Sequence, residues 1–482
     1  MKRLKRIFHS AATAVAAVKG PTGSIRMVHA AASSFSSKES FIPEGVTGMT
    51  ELDRSKFNKD VCLPFIRVGP AILGKINRTP TWDLLRKYGL RKLGNYMMVM
   101  PDPDDKEQRC IMFNPSIMGE EERKLILDAL KKHTEDELKF EERQTTVTYE
   151  DLDTRALFQA VLPGGVNFSG FTHTGPVIHC NIRDELMPYR FVIGQILLDK
   201  VRSCKTVVNK IDCIKSEYRN FELELLAGEP NYIVDVIEEK MVFRLDFSKV
   251  FWNSRLSNEH KRIVNLLDGR SLVYDACAGV GPFILPAAKK KKCRKLFAND
   301  LNPDSTAYLI ENIDLNKIDP NNLEVFTMDA VQFIREIAAD DILKEIEKCK
   351  DPTWTPPSGA HIVMNLPGYA VNFLPAFRGL LHGRFSEDEL PFPITVYCYL
   401  FIKALGEPHS TFVEKAREVV LEKLGWDKAE ISHIHHVRTV SNFKEMFCVQ
   451  VKLPVDLLKA EPNESVEPPT KRGRLADDAE DD

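Results

Sequence analysis

The chain has 482 residues, 43% of them hydrophobic and 28% charged, with a formal net charge of −3, a balance that fits a globular protein of two or three domains. No apolar run approaches the ~18 residues needed to cross a bilayer, and the ten cysteines include no C-x-x-C pair, which argues against a zinc module and for a reducing compartment or simple burial. The slight negative charge argues against a protein that wraps nucleic acid with its whole surface, but leaves room for basic residues gathered on one face.

In chain order, residues 1–38 contain no Asp or Glu, while Lys2, Arg3, Lys5, Arg6, Lys19 and Arg26 are spread among Ala, Ser and short apolar stretches. The pattern predicts a mitochondrial transit peptide over residues 1–40. A secretory signal is the alternative, although residues 11–18 are only weakly apolar, and an unstructured basic tail is the plainest reading. Residues 47–142 combine a helical run at 118–133 with a strand at 95–100, and residues 145–246 alternate strands and helices, with a helix over 187–200 and a strand over 222–226. From 247 to 454 the pattern is α/β, ending in strands at 394–400 and 447–453. Residues 460–482 form an acidic, Pro-rich tail in which Pro468-Pro-Thr-Lys-Arg-Gly-Arg474 reads as a nuclear address or as a chance cluster.

The informative stretch lies inside 247–454. The runs Asp275-Ala-Cys-Ala-Gly-Val-Gly-Pro-Phe283, Asn299-Asp300-Leu-Asn-Pro303, Met328-Asp329-Ala330 and Asn365-Leu-Pro367 each follow or close a short apolar run. They read as successive strand ends along one edge of a doubly wound sheet, where such folds place ligands. After a strand at 271–274, the turn around Cys277, Gly279 and Gly281 lets a ligand approach the backbone before a helix starts at Pro282. Asp300, ending the next strand, is placed to accept from a ribose diol, and Asp329 or the amide of Ala330 to read an adenine edge. A dinucleotide site competes, but Gly-x-Gly-x-x-Gly fails because Pro282, Phe283 and Ile284 follow Gly281. S-adenosylmethionine is therefore favoured over NAD. Asn365-Leu-Pro367 either presents polar groups to a planar nucleobase or is an ordinary strand-to-loop turn, and Tyr369 beyond it either stacks on a flipped base or fills core. The run Lys289-Lys-Lys-Lys292 ends the helix that begins under the glycine turn and is accounted for by favourable charge at a helix C-terminus.

These motifs, with Phe251-Trp-Asn-Ser-Arg-Leu-Ser-Asn-Glu-His260, His179-Cys-Asn-Ile-Arg-Asp-Glu185, Tyr218-Arg-Asn-Phe-Glu-Leu-Glu-Leu-Leu-Ala-Gly-Glu229 and Asp246-Phe-Ser-Lys-Val250, closely resemble the archaeal and eukaryotic tRNA (guanine-37-N1)-methyltransferase family. The resemblance runs from about residue 48 to 454 and is dense from 179 to 367. It implies an α/β fold with a class I, Rossmann-like methyltransferase domain over 247–454, a small tRNA-binding domain over 47–142, and an extension over 145–246 that packs on the catalytic domain and helps form the base pocket. It further implies S-adenosylmethionine as cofactor, tRNA as partner and 1-methylguanosine at position 37 as product, which protects the reading frame and precedes wybutosine in phenylalanine tRNA. No membrane or metal is implied. A monomer is the default, in the mitochondrial matrix with nuclear and cytoplasmic pools.

Guanine N1 carries a proton at neutral pH, so its lone pair becomes available only as a base removes that proton, and negative charge develops on O6. By resemblance the base is Glu259, Arg219 is the cation facing the guanine, and Asn365 contacts cofactor and target base. His260, Asp300, Leu301, Asp329 and Ala330 carry over as cofactor neighbours. From the residues alone, Glu259 is a first-turn carboxylate favoured by the helix dipole, and Arg219 a surface charge beside an aromatic. Two other function classes compete. A methyltransferase acting on protein or a small molecule would not need the N-terminal domain, and a non-catalytic RNA-binding scaffold would not need Glu259.

Overall fold

The computed structural model describes residues 41–43, 45–166, 168–211, 222–403, 409–441 and 444–462. Residues 1–40, where a transit peptide is expected, and the tail from 463 onward lie outside the described residues. Two compact units divide the described chain: 59–147 with 41–43, and 148–462 with 45–58.

In the smaller unit, antiparallel strands in the order Val99–Pro101, Arg109–Met112, Lys59–Val68, Phe140–Val147 accompany helices Pro70–Ile76, Pro80–Tyr88 and Glu120–Leu130. Ile66, Val68, Ile72, Leu85, Ile111 and Ile126 form its core. The helix expected at 118–133 begins at Glu120, where the Glu122 carboxylate accepts from Gly119 N at 3.0 Å and satisfies an otherwise orphaned donor. The strand expected at 95–100 shrinks to Val99–Pro101, because Leu93 and Tyr96 exchange backbone bonds at 2.8 and 2.9 Å in a turn just before it.

The larger unit opens with a four-stranded sheet, Phe171–Thr174, Val177–Cys180, Thr206–Ile211 and Glu222–Gly228 in that order. The helix expected at 187–200 starts at Arg190, since Asp184–Tyr189 winds more tightly as a 3-10 turn containing Pro188. Val177 and Val208 of this sheet share one core with Phe247, Val273 and Leu296 of the α/β part.

The α/β part is a seven-stranded sheet. Its strands are β1 (Leu272–Asp275), β2 (Lys295–Asn299), β3 (Leu323–Phe326), β4 (Ala360–Met364), β5 (Ile394–Lys403), β6 (Glu430–Ser441) and β7 (Lys444–Lys452). Their order is 3-2-1-4-5-7-6, with β1 to β5 parallel and β7 antiparallel to both its neighbours. Side chains alternate between the faces: Leu272 and Tyr274 pack with Ile342 and Ile346 of α3 (Ala339–Lys348), and Val273 with Leu309 and Ile313 of α2 (Pro303–Leu315). α1 (Ser257–Asn265) lies on the α2 face, with Ile263 against Val363, Tyr399 and Met446, and α4 (His409–Leu424) adds Ala416 and Val420 to the opposite core. Winding reverses between β1 and β4, so a crevice opens beyond their carboxyl ends. The sequence reading has no counterpart for β6. Register shifts between Ile431 and His433, between His436 and Arg438, and between Thr439 and Ser441 break the alternation that marks a strand. Among the described residues no helix is long and apolar enough to cross a membrane.

Asp275 ends β1 with its carboxyl fully buried; Oδ1 accepts from Cys277 N at 3.3 Å and Oδ2 has no partner among the described residues. Burial first, with the Asp300 charge adding to it, pushes this carboxyl up to about 8. The folded chain therefore keeps a proton that the unfolded chain has lost. That contribution to stability is fully present below the ordinary carboxylate range and is lost as pH rises through about 8. Between about pH 7 and pH 9, wild type should lose about 1 kcal/mol more stability than Asp275→Asn, measured as urea-unfolding midpoints. Equal losses would mean that Asp275 is ionised throughout.

Candidate active site

The glycine turn is shaped by two different demands. Gly279 (φ +54°) and Gly281 (φ +96°) both occupy the left-handed region. A Cβ on Gly281 would lie 2.4 Å from Leu309 Cδ1 and 2.9 Å from Leu285 Cγ, whereas one on Gly279 would meet nothing within 4 Å. Gly281 is thus required by packing beneath the turn, and Gly279 faces open space. Leu285 N donates to Gly281 O at 3.0 Å, but the helix itself starts at Ile284, two residues later than the start expected at Pro282.

The next strand ends are tied to this turn. Asp300 Oδ2 accepts from Gly279 N at 2.8 Å and Oδ1 from Asn302 N at 2.9 Å. Each oxygen keeps a lone pair for a further donor, and burial raises the group above the usual carboxylate range. Asn299, one residue earlier, donates from Nδ2 to Ala276 O (3.1 Å) and Met328 O (3.0 Å) and accepts from Met328 N (3.1 Å). Asp329 caps the following turn, accepting from Val331 N at 2.8 Å, and Ala330 is buried behind it. Cys277 and Leu301 are half-buried. Cys277, Gly279, Gly281, Asp300, Leu301, Asp329 and Ala330 therefore share one sheet edge.

Asn365 follows β4 and is half-buried. Its turn runs beside β5, since Met364 pairs with Cys398 and Phe401 N donates to Pro367 O at 3.2 Å. Tyr369 is buried and meets Phe373 edge-on at 5.5 Å, which settles it as core. Arg219 lies outside the described residues. In the lysine run, Lys290 pairs with Glu239 at 2.6 Å and Lys289 donates to the Asn316 carbonyl, so these charges hold the fold together.

Glu259 occupies the third position of α1 and is 4% exposed. Its carboxylate accepts from Arg262 twice, Nε to Oε2 and Nη2 to Oε1, both at 2.7 Å, and from the Tyr399 hydroxyl to Oε1 at 2.6 Å. His435 Nε2 of β6 stands 3.4 Å from Oε2. Burial, then the neighbouring Cys448 and Glu259, holds the Tyr399 phenol far above its ordinary range, so it stays a donor. Burial lowers Arg262, but the hydrogen bond and charge of Glu259 help outweigh it and leave the guanidinium raised. The next residue, His260, is buried with Nδ1 at 2.8 Å from Glu238 Oε1 and its ring edge-on to Phe283 of the glycine turn at 4.8 Å. The helix start and the glycine turn are thus in contact.

Arg262, Tyr399 and His435 have no place in the sequence reading. The i, i+3 spacing of Glu259 and Arg262 was a usable signal, whereas Tyr399 is one aromatic in an apolar strand and His435 belongs to the unrecognised β6. The arrangement gives a buried carboxylate, oriented by Arg262 and Tyr399, at the carboxyl end of a sheet whose loops can cradle a nucleoside.

Residues 235–352 match the family profile of the TRM5/TYW2 methyltransferase domain, and residues 158–231 that of the TYW2 N-terminal domain. A Caenorhabditis elegans protein named tRNA (guanine(37)-N(1))-methyltransferase is 43% identical over 437 residues, covering 87% of this chain and 91% of the relative. The Homo sapiens protein of that name is 37% identical over 445 residues, covering 90% and 83%. Among solved structures, Trm5b from Pyrococcus abyssi superposes with a TM-score of 0.51 at 23% identity, and the enzyme of an aTrm5–tRNALeu complex with 0.54 at 20%, each over 81% of this chain and 99% of the other. These two establish the fold. With identity this high over most of both sequences, the chain belongs to the tRNA (guanine(37)-N(1))-methyltransferase family.

Proposed function

We propose that this protein transfers a methyl group from S-adenosylmethionine to N1 of guanosine-37 in tRNA, with Glu259 as the base. The observation that carries this reading is the Glu259 carboxylate, buried and oriented beside the strand-end loops of a methyltransferase sheet.

The residues present fit the cofactor. Open space faces Gly279, Asp300 keeps acceptor capacity for a ribose diol, and Asp329 and Ala330 present a polar edge beside half-buried Leu301 and Cys277. His260 borders this region through Phe283. Bound S-adenosylmethionine supplies an electrophilic methyl group on its sulfonium. Glu259 takes the N1 proton as the N1 lone pair is committed to the new bond. Its Oε1 already accepts from two donors, Arg262 and Tyr399, so Oε2 is the oxygen that receives the proton. Arg262 and Tyr399 fix the carboxylate before the substrate arrives, which lowers the reorganisation required at the moment of transfer. Asn365, at the end of β4, contacts the target base and the cofactor, and Arg219 balances charge developing on O6.

The product, 1-methylguanosine beside the anticodon, protects the reading frame and serves as the first step towards wybutosine in phenylalanine tRNA. The enzyme acts as a monomer, in the mitochondrial matrix and in nuclear and cytoplasmic pools, with the domain over 47–142 holding tRNA and the extension over 145–246 completing the base pocket. The acid-free, basic composition of residues 1–38 supports import. Residues 1–40 fused to a fluorescent protein should direct it to mitochondria; a diffuse signal would remove the matrix from the proposal.

The central test is methyl transfer from labelled S-adenosylmethionine to tRNA transcripts carrying guanosine or adenosine at position 37. Wild type should label only the guanosine transcript. Glu259→Gln should retain cofactor binding and lose about 10²–10⁴-fold in rate. Equal labelling of both transcripts would overturn the position, and an unimpaired variant would return Glu259 to a structural role.

A further inference from the structure

A proton taken by Glu259 has to leave again. The carboxyl is 4% exposed, so it has almost no direct access to water. We infer that His435 is the exit for this proton, a relay between Glu259 and solvent; the inference rests on Glu259 being the base. His435 Nε2 stands 3.4 Å from Glu259 Oε2, the oxygen left with a free lone pair once Arg262 and Tyr399 have bonded. The imidazole is also open to the surface. The His435 side chain is 35% exposed, and two residues back on the same strand face the exposed His433 ring stacks on it with centroids 6.0 Å apart.

The surroundings suit a neutral acceptor. Facing His435 are Glu259 and Arg262 from α1, His433 and His436 on its own strand, and Cys448 opposite it on β7. Burial first, then the Arg262 charge, holds His435 below its ordinary range, so at neutral pH the imidazole is free to take a proton. The Cys448 thiol is pushed up to about 12 by burial and keeps its own proton. His436 is engaged elsewhere, with Nε2 at 2.6 Å from Glu445 Oε2. In the tautomer with hydrogen on Nδ1, the Nε2 lone pair accepts the proton from Glu259 Oε2–H, which restores the carboxylate. The imidazolium then releases the Nδ1 proton to water or to His433. One proton enters at Glu259 and one leaves to solvent per methyl transferred, with no other reactant needed.

The test separates proton release from methyl transfer in one turnover. Wild type, His435→Ala and His435→Gln are mixed in stopped flow with cofactor and guanosine-37 transcript in weak buffer containing a pH-indicator dye, and methyl transfer is followed in parallel by quenching. In wild type the dye should track methylation with one proton per methyl. In both variants methylation should keep its first-turnover rate while the dye lags at least about tenfold, and added imidazole should close the lag. Release that keeps pace with methylation in the variants, while Glu259→Gln is inactive, overturns the relay and leaves the methyltransferase reading standing. A first-turnover loss that imidazole does not restore assigns His435 a structural role and also overturns the relay. If Glu259→Gln methylates at the wild-type rate, Glu259 takes no proton, and the relay falls together with Glu259 as the base, while the methyltransferase reading stands.

Discussion

The side chain of Asn299 is the joint on which the crevice depends. Three parallel strands end side by side, and their loops would diverge without something fixing their spacing. Asn299 bonds the loop after β1 through the Ala276 carbonyl, and the loop after β3 through both the carbonyl and the amide of Met328. Its own carbonyl accepts from Ala278 N at 2.7 Å. It is fully buried, so losing any one of these bonds would leave an unpaired polar group out of water, at a cost of about 1–3 kcal/mol. Asp300 extends the same joint by holding the Gly279 amide. The spacing of these strand ends is therefore set by the fold's own hydrogen bonds.

A second set of bonds stabilises the carboxylate. Glu259 on α1 is held by Arg262 one helical turn on and by Tyr399 in the central part of the sheet. A buried carboxylate with a bidentate guanidinium partner is not a source of net stability, but removing the partner leaves an uncompensated charge in the interior. The two arrangements meet at Phe283, which touches His260 and lies 6.2 Å from the Tyr399 ring.

Much of this was legible in the sequence for a physical reason. β1, β2 and β4 are largely buried on both faces, so they appear as short apolar runs, and a turn with two left-handed glycines advertises itself. The helix carrying Glu259 and His260 was equally clear, with Ile263 and Val264 at its core-facing positions. What escaped was pairing across long separations. Tyr399 lies 140 residues from Glu259, and nothing local marks its hydroxyl as the one that finds the carboxylate. β6 was hidden because it is an irregular margin strand with residues such as His433 and Thr439 exposed. Asn299 was read as part of a motif, but its role as a clamp follows only from the three loops being in place.

The hairpin of Ile233–Glu238 and Met241–Asp246 turns through Glu239 and Lys240, both with positive φ although neither is glycine. Glu238 bonds His260 in the interior, and Glu239 reaches Lys261 at 3.2 Å and Lys290 at 2.6 Å. Consecutive residues of the hairpin tip are thus riveted to consecutive residues of α1, immediately after Glu259. The hairpin tip is therefore tied directly to the helix that carries Glu259, by side-chain bonds that do not pass through the sheet.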